Sequence, residues 1–403
     1  MGKVATENTL QKGVDLLGII ARNQIREFND YATIQKIVRN GDAENVFNIG
    51  DQITETWNNG TSDLELPFDI VHIGTVTNAD GDIVPALYLQ AHWALPGVQF
   101  DGNEAFYYCD EGLAAGTYNV TMGNSWGTNV IANKVYQFTL TEDVPAGGQL
   151  VFTTATSTTG ALPDQAPENW RVRSYASQTS TTHLEMVEVT EGNDGTSLGT
   201  LSSSTKFGTT GLNNMQRAAY GYNRWSQSGI RQWLNSDAAV GGWWIPKNVY
   251  DRPPEQLTSM RGFKAGLSED FLSVLQPVRV TTALNTVSDS EIGASEITTD
   301  LFFLPSLEQE YIVPQVSGVE GSAWDYWKQR LGGTSPQGTG SDHANVNHIR
   351  YAIENHTSSQ TVRLRSAGRG TASYTWGVNT SGYVYYYNLA ASAYRPCPAC
   401  VIC

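Results

Sequence analysis

The sequence predicts an α+β protein in which one N-terminal helix precedes a body built mainly of strands. Three observations lead to this prediction. Apolar side chains recur at steps of three and four over residues 8–39, as they do on one face of a helix. From about residue 46 the pattern changes to short β-prone runs that are separated by Gly, Asn and Asp. Residues 212–403 then alternate short helical and strand patterns with Trp-rich patches.

The composition disfavours two classes of binding partner, nucleic acid and membrane. Hydrophobic residues make up 40% of the chain, enough for a real core, whereas charged residues make up only 16%, below the usual ~25%. The formal net charge is −15 and there is no basic run, so nucleic acid is a poor partner. No stretch approaches the ~20 apolar residues of a membrane span, so we also expect no membrane partner.

Residues 1–45 are predicted to form a helical docking or oligomerisation segment. Its apolar stripe consists of Leu10, Val14, Leu17, Ile25, Phe28, Ile34, Ile37 and Val38. Asn40-Gly41-Asp42 is typical of a helix end. An exposed apolar stripe must find a partner, which favours a homo-oligomer or attachment to a larger assembly. The alternative is that the helix packs into the core of the body.

Residues 46–101 are predicted to begin the main domain with a β-hairpin. β-prone runs at 69–76 and 83–89 flank residues 78–82, in which the Asp80-Gly81 step is typical of a tight turn. The same Asp/Asn cluster lacks the full ligand spacing of a calcium loop, so the turn is the favoured interpretation.

Residues 102–211 differ in character and predict an inserted β-rich module. They are rich in Thr, Ser and Gly. Their β-prone pieces lie at 134–140, 149–154 and 183–189. The Thr/Ser/Gly run at 192–211 indicates a return linker. We therefore expect residues 46–101 and 212–403 to form one domain, from which the module is an excursion.

Residues 212–403 are predicted to contain two short helices, a buried strand and a loop. The helical patterns lie at 228–235 and 322–331. Residues 301–304 are wholly apolar and indicate a short buried strand. Residues 334–347 begin with a run of Gly, Pro and Ser that favours a loop.

Five pieces of the sequence, taken in order, resemble a known family. They are 221–235 (GYNRWSQSGIRQWLN), 300–308 (DLFFLPSLE), 320–326 (EGSAWDY), 362–366 (VRLRS), and Ser381-Gly382 leading to Tyr394-Arg395-Pro396. Together they look like a domain of uncharacterised function common in gut bacteria and their phages. That domain is similar to the C-type-lectin-like branch shared by formylglycine-generating enzymes and the variable proteins of diversity-generating retroelements. The resemblance covers residues 46–101 and 212–403 and implies a C-type-lectin-like core.

Most residues in these pieces are expected to hold the fold. The expected hydrophobic anchor is Trp225, Trp233 and Leu234. Arg231 is expected to pair with backbone carbonyls or a carboxylate, and Glu308 and Arg365 are candidate buried partners of each other. Trp376 and Arg395 are also assigned to the scaffold.

The end of the chain is predicted to form a binding surface. Residues 366–403 contain no Asp, Glu, Lys, Gln, Met, His or Phe but six tyrosines. Tyr supplies contact area at low entropic cost, and Ser, Gly and Asn supply adaptable hydrogen bonds, as in antibody binding loops. The resemblance implies that the variable residues of retroelement proteins lie in the same region. The expected ligand-binding residues are Tyr374, Asn379, Tyr383, Tyr385, Tyr387, Asn388, Ser392 and Tyr394.

Strand alternation refines this expectation. Alternate residues of a strand share a face, so Tyr383, Tyr385 and Tyr387 are expected to act together. The alternative is that the tyrosines belong to an ordinary sheet, where aromatic residues are common.

No motif points to catalysis. There is no phosphate-binding Gly loop, nucleophile elbow or His-x-x-x-His pattern. Cys397, Cys400 and Cys403 are close in sequence, but zinc requires four ligands and a strand would point these thiols to both sides. His343 and His348 lie in or beside a loop and are expected to be solvated. We therefore expect no enzyme, no cofactor and no metal.

The composition and the resemblance together predict a phage virion-displayed adhesin, in a tail fibre or a head decoration, with a diversifiable C-terminal surface. The expected partners are a host or bacterial cell-surface protein or glycan, and other virion proteins bound through the N-terminal helix. A homotrimer is the best guess, because phage fibres are commonly trimers. Residues 1–7 lack the layout of a signal peptide, which fits assembly into a particle inside the host and fits a cytoplasmic protein equally well.

Alternatives remain for location and function. The expected location is the virion surface, with the bacterial cell surface as the alternative. A purely structural virion decoration would use the same tyrosines to pack subunits together. A formylglycine-generating-like oxidase, which uses paired cysteines and copper, is the enzymatic alternative.

Overall fold

Strands make up most of the regular structure of the chain. The computed structural model describes residues 30–124, 131–154, 170–175, 182–185, 187–189, 194–202 and 214–403. Within these ranges the fold is mixed α/β, with strands in several small sheets and a few short helices. This agrees with the mixture of helix and strand that the sequence predicted.

The helices and strands have the following bounds. The α-helices are α1 (Tyr31–Arg39), α2 (Ala43–Val46), α3 (Met215–Tyr220), α4 (Gly229–Leu234), α5 (Glu269–Val274) and α6 (Asp325–Leu331). The strands of the first half are β1 (Gln52–Asn58), β2 (Asp63–Thr77), β3 (Ile83–Ala91), β4 (Val98–Gln99), β5 (Tyr107–Cys109), β6 (Gly116–Met122), β7 (Val135–Leu140), β8 (Gly148–Thr154), β9 (Trp170–Tyr175), β10 (Thr182–Glu185), β11 (Val187–Val189) and β12 (Thr196–Leu201). Those of the second half are β13 (Val278–Ala283), β14 (Ser295–Asp300), β15 (Arg350–Tyr351), β16 (Ser359–Gln360), β17 (Val362–Ala367), β18 (Tyr374–Val378), β19 (Val384–Leu389), β20 (Ala393–Pro396) and β21 (Ala399–Ile402).

Two sheets join the beginning of the chain to its end. The first has the order β1-β2-β3-β21, so that the last strand pairs antiparallel with β3. The second has the order β19-β18-β17-β20-β4. The predicted hairpin over residues 69–89 is confirmed: β2 and β3 pair across the turn at 78–82. Residues 46–101 and 212–403, which the sequence analysis placed in one domain, thus share both sheets.

The 102–211 region contributes two further sheets. Their orders are β10-β9-β8-β5 and β11-β7-β6-β12, and among the described strands these eight pair only with one another. The β-prone pieces predicted there are therefore strands. The return linker predicted over 192–211 is wrong in part, because β12 pairs in parallel with β6. Leu198 and Leu201 anchor that strand by packing into the core of the module.

Helix α1 packs into the main core. The Asp30 side chain caps its first turn by accepting a hydrogen bond from Thr33 N. Ile34 and Val38 are buried among the side chains of the first sheet. The predicted end at Asn40 is confirmed. The described part of the predicted docking segment is thus a core helix, whereas Leu10, Val14, Leu17, Ile25 and Phe28 lie outside the described residues.

The hydrophobic anchor of the resemblance is confirmed. Trp225, Trp233 and Leu234 are fully buried in the main core. Arg231 pairs with a carboxylate, as expected: its Nε lies 2.6 Å from Asp300 Oδ1, and Trp225 Nε1 donates to Asp300 Oδ2 at 2.9 Å. This pairing fastens α4 to the end of β14.

The strand predicted over 301–304 is wrong, although the segment is largely buried. Phe303 forms a single bridge with Ala399 rather than a ladder. The Asn235 amide replaces the missing strand partner: its Oδ1 accepts from Leu301 N and Phe302 N, and its Nδ2 donates to Phe302 O. The side-chain amide at the end of α4 therefore forms the hydrogen bonds that a neighbouring strand would otherwise have made with this backbone.

The expected pairing of Glu308 with Arg365 is also wrong. Arg365 is buried and bonds the carbonyls of Thr281, Leu304 and Glu320 and the side chains of Gln309 and Thr282. Glu308 instead accepts hydrogen bonds from Gly318 N and Glu320 N. Arg365 does hold the scaffold, but it does so through carbonyls.

His348 is buried, contrary to the expectation of a solvated side chain. Its Nε2 lies 2.9 Å from Glu310 Oε2, and its Nδ1 lies 2.9 Å from Gln337 Oε1. The 3₁₀ turn Val346–His348 carries the ring inward against Trp327 of α6. His343, by contrast, is exposed, as the sequence predicted. No helix in the described ranges combines the length and apolarity that a membrane crossing requires.

Candidate binding surface

One face of the β17–β20 sheet carries the tyrosines that the sequence singled out. In this sheet Arg363 lies opposite Gly377, and Gly377 lies opposite Tyr385. Pro396 of β20 also pairs with Arg363, so Tyr394, two residues earlier, shares the same face. Cross-strand register thus places Tyr385 and Tyr394 on either side of Arg363.

Arg363 forms the floor of this face. Its side chain is fully buried, and no described carboxylate lies within ion-pair distance of it. Its guanidinium donates to the Thr375 hydroxyl and to the carbonyls of Asn388, Leu389 and Ser392. Burial lowers the pKa of Arg363 to about 9. The group therefore ties β18 and the β19–β20 connection together from beneath.

Tyr385 and Tyr394 lie beside Arg363, and Tyr383 packs next to Tyr385; all three are half-buried. The rings of Tyr383 and Tyr385 lie 5.3 Å apart, and the Tyr394 ring lies 4.9 Å from the Arg363 guanidinium carbon. The Tyr385 hydroxyl shares hydrogen bonds with the side chains of Thr361 and Tyr394, and burial raises its pKa to about 12. We call Tyr383, Tyr385 and Tyr394 the tyrosine patch.

A β-bulge interrupts the predicted alternation along β19. Between Thr375 and Gly377 the partner strand advances from Asn388 to Tyr385, so β19 contains one extra residue there. Asn388 therefore follows Tyr385 on this face. The side chain of Tyr387 lies outside the described residues.

Asn388 does not reach the surface, although the sequence analysis included it among the contacts. Its side chain is fully buried, and its Oδ1 and Nδ2 have no hydrogen-bond partner. It lies against Gly377, where an added Cβ would come within 2.2 Å of Asn388 Nδ2. Although the bulge places Asn388 on the same face as Tyr385, its amide is buried, so it is not part of the tyrosine patch.

Tyr374 lies on the opposite face of the sheet. Its ring is 6.3 Å from that of Tyr386, which in turn lies 5.3 Å from the ring of Trp376. These aromatic side chains pack over a small apolar cluster that includes Leu364 and Val384. The tyrosines of the C-terminal region are therefore divided between a packed face and the tyrosine patch.

The two remaining residues that were predicted to contact the ligand, Asn379 and Ser392, lie at the edges of the tyrosine patch. Asn379 accepts hydrogen bonds from Ser381 N and Tyr383 N and so shapes the turn before β19. Ser392 is half-buried beside the patch and fixes it through its carbonyl, which accepts from Arg363. Scaffold roles predicted for Trp376 and Arg395 agree with the structure: Trp376 is buried, and Arg395 bonds the carbonyls of Ala94 and Leu95.

A loop borders the tyrosine patch. The sequence did not indicate that this loop belongs to the binding surface. Gly340 N donates to Val384 O, and Asn345 N donates to Gly382 O, so the loop runs beside the turn that carries Tyr383. This loop comprises residues 338–347, of which the exposed ones are Thr339, Ser341, Asp342, His343, Ala344, Val346 and Asn347. The loop pattern in the sequence indicated exposure, but the contact with Gly382 depends on the fold.

The C-terminal cysteine thiols lie inside the protein. Cys397, Cys400 and Cys403 are buried and free. Burial raises the pKa of Cys397 to about 12 and that of Cys400 well above its usual value. A raised pKa disfavours the thiolate form of these side chains.

Comparison with known proteins identifies the family. Residues 200–403, just over half of the chain, match the family model described as a domain of unknown function, DUF6273. No curated protein and no solved structure matches the chain. The matched range contains β17–β20 and hence the whole tyrosine patch. The chain therefore belongs to the DUF6273 family.

Proposed function

We propose that this protein is a non-enzymatic binding protein whose ligand contacts the tyrosine patch. One observation carries the proposal: half-buried Tyr385 and Tyr394 lie beside the buried Arg363 guanidinium, with Tyr383 against Tyr385, instead of packing in the core. Arg363 fixes the backbone beneath them, so the rings lose little entropy when a ligand binds. The bordering 338–347 loop adds hydroxyl, amide and imidazole groups at the rim.

The finer features of the proposal rest on the sequence resemblance. They are a C-type-lectin-like core, display on a phage virion or a bacterial surface, and diversification of the C-terminal region. The proposed ligand is a host or bacterial cell-surface protein or glycan. The buried thiols weigh against the oxidase alternative, because their raised pKa values suppress the thiolate.

Oligomerisation is proposed to depend on residues upstream of Asp30. Deleting residues 1–29 should convert a homotrimer into monomers that keep the melting temperature of the full chain, because α1 remains. Light scattering coupled to size exclusion measures the mass. Deleting residues 1–40 instead removes Ile34 and Val38 from the core and should destabilise the body. Monomeric full-length chain would contradict the proposal.

Substitutions in the tyrosine patch test the binding function. Tyr383→Ala, Tyr385→Ala and Tyr394→Ala should each weaken binding by ~1–4 kcal/mol, because aromatic side chains dominate contact energies. The labelled full chain is applied to a glycan array and to whole cells of gut bacteria, and affinity is measured on the target that the unaltered chain binds.

A matched control separates binding from stability. Tyr351→Ala removes a half-buried tyrosine from β15, outside the patch, and should leave affinity unchanged. The patch variants should keep a melting temperature close to that of the unaltered chain. Unchanged affinity together with loss of oligomer mass would instead favour the structural decoration alternative.

A further inference from the structure

Three carboxylates converge where the module leaves the main body. Asp101 follows β4, Glu104 precedes β5, and Asp251 comes from the second half of the chain. Each side chain is at most 1% exposed, and one oxygen from each lies within 4.8 Å of the other two. The connection between β4 and β5 and the distant residue Asp251 therefore bring acidic oxygens to one buried point.

Described donors reach the carboxylates of Glu104 and Asp251. Arg217 Nη2 lies 2.5 Å from Glu104 Oε1. Asp251 accepts hydrogen bonds from the backbone N–H groups of Lys247 and Asn248 and from the Asn248 amide. Asp101 Oδ2 is different: it is buried and has no hydrogen-bond partner.

A buried carboxylate oxygen without a donor is costly unless a cation or proton faces it. The oxygens in this cluster are hard ligands, the kind that Ca²⁺ prefers, and no histidine or cysteine belongs to the cluster. Oxygens at about 2.4 Å from a central Ca²⁺ lie at most about 4.8 Å from one another, so the three carboxylate oxygens are close enough to share one ion. Mg²⁺ usually keeps several waters, for which a fully buried cluster is less suited.

We propose that Asp101, Glu104 and Asp251 bind a calcium ion that fastens the module to the main body. The backbone around the site is already closely packed. A Cβ on Gly102 would lie 2.4 Å from Arg252 O, and one on Gly221 would lie 2.9 Å from Asp101 O. The ion adds a link among the chain entering the module, helix α3 through Arg217, and the 248–251 turn.

The site also supports the connection that carries the tyrosine patch. Asp101 N donates to Ala390 O at 3.2 Å, and Ala391 N donates to Tyr220 O at 2.7 Å. Ala390 and Ala391 lie between β19 and β20. Calcium is thus expected to stabilise the chain without contacting the ligand, and the proposal does not depend on the binding function.

Metal content and thermal unfolding of the full chain test the proposal. The chain is stripped with EGTA, dialysed against CaCl₂ and analysed by mass spectrometry for metals. We expect one calcium per chain. The melting temperature should rise by about 3 °C over that in EGTA when free Ca²⁺ is ~100-fold above its Kd, and by less with MgCl₂.

Two variants localise the ion. Asp101→Asn should abolish both the bound calcium and the shift, while remaining folded in EGTA because it removes the unpartnered carboxylate oxygen. Asp300→Asn is the matched control: it alters a buried carboxylate bonded to Arg231 and Trp225, and it should keep the calcium shift despite lower stability. A calcium-free unaltered chain without a shift, or Asp101→Asn that binds calcium normally, overturns the proposal.

A second measurement applies if Asp101→Asn fails to fold. Terbium is added to the stripped, unaltered chain, and its emission is excited through the neighbouring tyrosines Tyr222 and Tyr250. Tyr222 hydrogen bonds Asp101 through its backbone, and Tyr250 lies near Glu104. Emission that CaCl₂ displaces supports the site, and the absence of such emission refutes it.

Discussion

Arg363→Ala is expected to lower the free energy of unfolding by about 3–5 kcal/mol, because it breaks a buried hydrogen-bond network. The substitution leaves the carbonyls of Asn388, Leu389 and Ser392 without their donor and opens a cavity beneath Tyr394. Urea unfolding followed by tryptophan fluorescence measures the loss. Ligand affinity should also fall, since the backbone that carries the tyrosine patch loses its support.

Two further variants test whether the lost hydrogen bonds of Arg363 cause this destabilisation. Arg363→Lys keeps the positive charge but cannot bond several carbonyls with one planar group, so it should recover only part of the stability. Arg279→Ala removes an exposed arginine from β13 and should cost less than about 0.5 kcal/mol. An Arg363→Ala chain as stable as the Arg279→Ala control would show that Arg363 does not hold the sheet.

Asp69→Asn is expected to lower the free energy of unfolding by about 3–5 kcal/mol, because it removes the negative charge from a buried cluster of charged side chains. Asp69 accepts from His92 Nδ1 at 2.8 Å and from Arg350 Nη1 at 3.2 Å. Arg350 is itself buried beside the ring of Trp327. The substitution leaves this guanidinium without its ion-pair partner.

The lowered pKa of Asp69 predicts that the stability of the fold depends on pH. Burial by itself raises the pKa of Asp69, but the hydrogen bond from His92 and the charge of Arg350 outweigh it and lower the pKa from 3.8 to about 2. The resulting stability is present above pH 4 and is lost as pH falls from about 4 to 2, an effect of about 2 kcal/mol. Asp69→Asn should lack this part of the acid dependence when unfolding is measured across that range.

An exposed aspartate provides the control for both effects. Asp82→Asn alters the turn between β2 and β3 and should change neither the stability at pH 7 nor its acid dependence by more than about 0.5 kcal/mol. If Asp69→Asn behaves like Asp82→Asn, the charged group does not stabilise the fold.

Local sequence patterns predicted the elements whose cause is local. The Asp80-Gly81 turn, the end of α1 at Asn40 and the helix that begins after Ser228 follow from turn, stop and capping preferences of neighbouring residues. The burial of Trp225 and Trp233 was expected from the resemblance and from their apolar rings. The abundance of tyrosine near the chain's end likewise directed attention to β19 and β20.

Predictions failed where the deciding contact came from a residue distant in sequence. Residues 301–304 are not a strand, because the Asn235 amide satisfies their backbone. His348 is buried, because Glu310 Oε2 and Gln337 Oε1 each lie 2.9 Å from one of its ring nitrogens. The carboxylate cluster was not foreseen either, because Asp251 lies far along the chain from Asp101 and Glu104 and no sequence spacing could reveal that they meet.

The sequence alone determined the mixture of helix and strand, the hairpin turn and the concentration of tyrosines near residue 403, because each depends on composition or on neighbours a few positions apart. Only the tertiary structure decided which tyrosines meet. A single extra residue in β19 places Asn388 on the face of Tyr385, and pairing of β17 with both β18 and β20 brings Arg363 beneath Tyr385 and Tyr394. Cross-strand register depends on contacts among strands that are far apart in sequence, so no local pattern could specify that face.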